Sequence, residues 1–100
     1  MAINEELSRA IFISYGEVPD LSGQSVESKL KEAFGEIKGT ELFHQVGKIV
    51  EEIDNISVDW ANHTLASASK FVVNAIHLKH PDINDEALDA LYRSYAYANR

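Results

Sequence analysis

Hydrophobic residues recur along most of this chain at intervals of three and four, the period of a helix with one buried face. The stretch that organises the rest is Ser57 to His80, SVDWANHTLASASKFVVNAIHLKH, which contains no Gly or Pro. Ser57 can accept a hydrogen bond from a free first-turn N–H, and Pro81 stops the run. At about 100° per residue, Val58, Trp60, Leu65, Phe71, Val72, Ile76 and Leu78 fall within an arc of roughly 160°. That breadth predicts a long central helix packed on two sides. Phe71 lies inside the apolar arc, and Ser69 just past it.

The other segments read as shorter amphipathic helices. Asn4 caps the first, with Ile3, Leu7, Ala10, Ile11 and Ser14 on one face and Glu5 and Glu6 in the first turn, where the helix dipole favours negative charge. The following AIFISY is apolar nearly all round; it reads as a buried helix end, with a short strand as the alternative for residues 10–15. Gly16 ends that element and GEVPDLSGQS forms a loop, with Val18 and Leu21 as its anchors to the core. Ser25 caps a second helix with Val26, Leu30, Ala33 and Phe34 inward, extended by Ile37 if the helix runs on, and closed by Gly35 or Gly39. Thr40 is the next cap, before a stripe of Leu42, Val46, Ile49, Val50, Ile53 and Ile56. After Pro81, Asp82 or Asn84 caps a last helix with Leu88, Leu91, Tyr92 and Tyr95 inward. The expected architecture is all-α: a single domain over residues 1–100, with about five helices around the 57–80 segment.

Composition narrows the functional classes. One hundred residues supply one modest core, and the balance of 45% hydrophobic to 25% charged residues is that of a globular domain. The net charge of −7 repels phosphate backbones and anionic lipid, so neither nucleic acid nor a membrane surface is an expected partner. With no cysteine there is no disulfide framework and no thiolate metal site. No apolar run reaches the length of a membrane span, and Glu5 and Glu6 stand where a secretory leader carries positive charge. A cytoplasmic protein is the expectation.

Catalytic chemistry finds little footing. The serines lack a G-x-S-x-G setting, and GEVPDLSG has neither the lysine nor the spacing of a phosphate loop. His77 and His80 are three apart but no H-E-x-x-H or Glu-x-x-His pattern completes a metal site, so neither metal nor cofactor is expected. His63, Lys70 and His77, spaced by seven, line one side of the expected central helix and form a candidate stripe for an anionic ligand. The acidic side is more distinctive. Glu51, Glu52, Asp54 and Asp59 lie between Lys48 and Lys70 with no Lys or Arg among them. Their fields add around one helix joint and suit a basic protein partner, with Tyr97 as an exposed aromatic contact.

In bulk properties the chain is similar to bacterial toxin-immunity proteins of the colicin-nuclease type, which are also small, acidic and helical. The similarity covers composition and helix number; the paired tyrosines of that family's short third helix have no counterpart here, and no residue carries over. It implies an inhibitory, immunity-like use of acidic helices to cover a basic partner. The leading expectation is therefore a non-enzymatic interaction domain. Its alternatives are a ligand- or metal-binding helical protein using His63, Lys70 and His77, and a homo-oligomerising structural unit.

Overall fold

A computed structural model describes residues 2–17 and 21–100, and these form five helices. They are α1 Glu5–Tyr15, α2 Val26–Phe34, α3 Glu36–Asp54, α4 Leu65–Lys79 and α5 Asp85–Ala98. There is no strand among the described residues, so residues 10–15 continue α1 as helix. Three of the expected caps are in place. Asn4 Oδ1 accepts from the Leu7 N–H at 3.0 Å, Ser25 Oγ from Ser28 at 3.1 Å and Asn84 Oδ1 from Ala87 at 2.9 Å. Each satisfies an N–H that the first helical turn leaves without a partner.

Helices α1, α3, α4 and α5 form a closed circuit of neighbours, α1 on α3, α3 on α4, α4 on α5 and α5 on α1. Helix α2 lies against α1 and α3 outside that circuit. Ile11, Leu30, Val46, Val72, Ile76 and Ile83 are almost wholly buried in the shared core. Two hydrogen bonds tie the start of α1 to the start of α5: the Asn4 N–H donates to the Asp82 carbonyl at 2.7 Å, and the Asn84 N–H to Ser8 Oγ at 3.0 Å.

The single residue Gly35 joins α2 to α3 at φ +87°, a conformation that side chains disfavour. Helix α3 therefore starts at Glu36 rather than after Thr40, and Gly39 lies inside it. There the missing side chain lets α3 rest on the α2 backbone, since a Cβ at Gly39 would stand 2.5 Å from Lys31 Cα. Leu21 is exposed and does not anchor its loop, and Val18 lies outside the described residues.

The 57–80 segment is the main correction. It becomes helical only at Leu65, and α4 packs on α3 and α5 alone, so it is one member of the circuit rather than its centre. Thr64 is the cap. Its hydroxyl accepts from the Ser67 N–H at 3.1 Å, while Ser67 Oγ accepts from the Thr64 N–H at 3.0 Å, a reciprocal capping box. Ahead of it, Asp59 accepts from the Ala61 N–H at 3.1 Å and from the Asn62 side chain. Such local side-chain bonds offer the backbone an alternative to a helix, which explains why this polar stretch stays out of one.

The orientation of α4 differs as well. Its buried stripe is Ala68, Ser69, Val72, Val73 and Ile76, rotated by about 70° from the expected arc at 100° per residue. Ser69 is fully buried, its hydroxyl donating to the Leu65 carbonyl at 2.8 Å, whereas Phe71 is 46% exposed and Leu78 85%.

Candidate functional site

Between the end of α3 and Trp60 the chain has no regular secondary structure, and its side chains alternate in what they meet. Ile56, Val58 and Trp60 line one cavity, while Ser57 and Asp59 are exposed and do not. The Asp59 turn holds the chain where Trp60 leaves it. The cavity is open to the surface and has a volume of about 360 Å³. Val50 and Ile53 of α3 and Leu91 of α5 extend its apolar wall.

Three helices end at this cavity. Tyr15 is the last residue of α1, Asp54 of α3 and Ala98 of α5, and all three line it. Three rings, Tyr15, Trp60 and Tyr95, share the wall with the polar side chains of Asp54, Ser94 and Asn99. None of the lining residues is Lys, Arg or His. Helix C-termini carry exposed carbonyls and the negative end of the macrodipole. The Asp54 carboxylate adds a full charge, so the cavity suits a cation and disfavours an anion.

Tyr15 reports on this environment. Burial, and after it the nearby Asp54 carboxylate, hold its phenol above the ordinary 10.0. A raised value means that the folded state keeps the proton longer. The stabilising contribution is complete below pH 10, and it is lost as pH rises through the raised value. Tyr15→Phe is expected to make stability fall less steeply above pH 10. Asp54→Asn is expected to bring the tyrosinate titration of Tyr15 earlier. Denaturant midpoints against pH check the first, and ultraviolet titration compared with Tyr15→Phe checks the second.

The acidic residues expected at this joint have different local roles. Glu52 is half-buried and engaged: the His80 imidazole lies 3.1 Å from both of its oxygens and Lys79 Nζ 3.8 Å from one. Asp59 serves the turn before α4. Glu51 is exposed on α3, and Asp54 is exposed at the cavity edge. Tyr97 is 38% exposed on α5, with the Arg100 guanidinium 4.0 Å from the centre of its ring. It does not line the cavity.

The His63, Lys70 and His77 stripe is not carried on one helix, because His63 precedes the α4 cap. Its Nδ1 lies 3.0 Å from Ser67 Oγ and its ring 5.5 Å from that of Phe71. Lys70 and His77 are exposed on α4. A second hollow lies by Glu5, Arg9 and Asn84, and a third by Ile13, Lys29 and Gln24; none of the three touches the stripe. Among the described residues no group of three or more His, Asp or Glu is placed to hold a metal ion.

The aromatic half of the site was not expected. Tyr15, Trp60 and Tyr95 come from three separate segments, and the I-S-V-D-W alternation of residues 56–60 is the local signal for the lining that Ile56, Val58 and Trp60 share. Fold and site together define a small all-α domain with an acidic, aromatic-walled cavity at a convergence of helix ends. No family model, curated protein or solved structure matches the chain. No helix among the described residues is long and apolar enough to cross a membrane.

Proposed function

We propose that this chain is a non-enzymatic interaction domain that presents the acidic end of α3 to a basic partner protein, with an inhibitory, immunity-like use of that surface. The observation that supports it most is the exposed Asp54 carboxylate at the edge of an open aromatic wall, with the exposed Glu51 three residues before it on α3. Protein interfaces favour this composition, a buried aromatic centre within a charged rim. The acidic net charge adds long-range attraction for a basic partner. The cytoplasm is the compartment we assign with it, on the acidic, cysteine-free sequence. The ligand alternative at His63, Lys70 and His77 gains no cavity from the three described, and self-association has in its favour the exposed Phe71 and Leu78 on α4. Neither has the geometry of the α3 end.

Charge reversal tests the docking surface. Glu51→Lys with Asp54→Lys is expected to slow association with the partner captured from native cell extract, while helix content and melting change little. Glu52 is a poor probe, because Glu52→Lys would set a cation against Lys79 and His80. The wild-type association rate should also fall with salt, as the Debye length shrinks from about 10 Å at 0.1 M to about 3 Å at 1 M. Unaltered capture and unaltered salt dependence in the double variant would show that this surface is not where a partner docks.

A further inference from the structure

We infer that the cavity at the ends of α1, α3 and α5 is an arginine pocket, receiving one guanidinium side chain of the basic partner between its aromatic wall and the Asp54 carboxylate. This rests on the docking proposal above and specifies the contact that anchors it. Charge complementarity comes first. The cavity gathers three helix C-termini and a carboxylate, and none of its lining side chains is basic. The chain's own guanidiniums nearby are committed elsewhere. Arg93 Nε donates to Asp89 at 2.9 Å and its Nη1 to the Gly16 carbonyl at 2.8 Å, just past the end of α1, so that terminus is partly answered already. Arg100 lies over the ring of Tyr97, outside the cavity lining. The Asp54 carboxylate supplies a full negative charge with the ends of α3 and α5 behind it, although at α5 the Asn99 N–H and side-chain amide already donate to the Tyr95 carbonyl.

Shape and wall chemistry then choose among cations. Val50, Ile56 and Val58 offer apolar surface to a hydrocarbon stem, and Trp60, Tyr15 and Tyr95 offer ring faces or edges to its head. A planar guanidinium stacks on aromatic rings, pairs with a carboxylate through two parallel N–H bonds and loses less hydration than an ammonium. Its remaining donors suit the carbonyls at a helix end. A lysine head satisfies the charge but makes no planar stack.

Trp60 is the chain's single tryptophan, so its fluorescence reads the cavity directly. The experiment titrates the whole protein with three otherwise identical Gly/Ser peptides bearing one arginine, one lysine or one citrulline. Citrulline keeps the shape and removes the charge. Trp60 emission and the methyl NMR shifts of Val50 and Ile53 are followed together. The arginine peptide is expected to give a saturable change in both, the lysine peptide binding more weakly and citrulline giving none. Asp54→Asn, exposed and outside the core, is expected to weaken arginine binding at least about tenfold with unchanged circular dichroism. Lysine binding as tight as arginine, a citrulline response equal to arginine's, no saturable arginine response, or full binding in Asp54→Asn would each overturn the proposal. The outcomes tell the two failures apart. If the peptides do not bind but charge reversal still slows the partner, the anchor falls and the docking surface stands. If arginine binds but charge reversal, which replaces Asp54, leaves capture unchanged, the cavity takes a guanidinium that the partner does not supply, and the docking surface and this occupant fall together.

Discussion

Replacing Ile76 by alanine is expected to lower the unfolding free energy by about 2–5 kcal/mol, while Phe71→Ala costs under about 1 kcal/mol. The larger side chain gives the smaller loss because of where each one points. Ile76 is wholly buried in the α4 stripe, so truncation removes its transfer free energy and leaves a cavity that close-packed neighbours fill only in part. Phe71 is 46% exposed, beside His63 rather than in the core, and its removal opens no enclosed space. For a domain of this size each 1 kcal/mol moves the melting temperature by about 4–8 °C, so Ile76→Ala is expected to melt about 10 °C lower or more. Urea unfolding of both variants checks the pair. Equal losses would mean that α4 is rotated from the orientation described. Ser69→Leu extends the test, because a larger side chain at this fully buried position is expected to cost about 1–3 kcal/mol by overpacking.

Gly39→Val is expected to cost about 3 kcal/mol, and Gly47→Ala, eight residues along the same helix, to stabilise by about 0.5–1 kcal/mol. Both glycines lie within α3, so intrinsic helix propensity alone favours alanine or valine at either position. What separates them is the neighbour. A Cβ at Gly39 would lie 2.5 Å from Lys31 Cα and 2.7 Å from the Leu30 carbonyl oxygen. These are backbone atoms, so α2 itself must shift and draw fully buried Leu30 with it. Nothing lies within 4 Å of a Cβ built at Gly47. Thermal melts of the two variants check the opposite signs; stabilisation by both would show that α2 does not rest on α3 at Gly39.

The candidate site was legible in part. Glu51, Glu52, Asp54 and Asp59 stand out in sequence as a run without basic residues, and Asp54 does edge the cavity. Their separate roles were not legible, because Glu52 meets His80 across 28 positions of chain and Asp59 is drawn into its own turn. The rings of Tyr15 and Tyr95 belong to helices far apart in sequence, and only the circuit of helices brings their ends together. Trp60 was nearer to hand. The alternation Ile56, Val58, Trp60 competes with a helical reading of the same residues, while the expected phase of α4 rests on Phe71 and Leu78, which lie at the same edge of the arc as Trp60 and which packing leaves exposed.

The sequence by itself determined the features whose partners lie within a turn or two. Asn4, Ser25 and Asn84 cap helices because an oxygen at that position meets an N–H three residues on, whatever the rest of the fold does. The α3 stripe of Leu42, Val46, Ile49 and Ile53 is inward because its period admits one apolar face. Helix α4 is apolar over most of its surface, so several orientations bury comparable area and local pattern does not choose among them. Packing on α3 and α5 chose Ser69 and Val73 for the core and left Phe71 and Leu78 outside. The approach at Gly39 and the meeting of three helix ends around Asp54 were decided the same way, by contacts across space that carry no periodic signature along the chain.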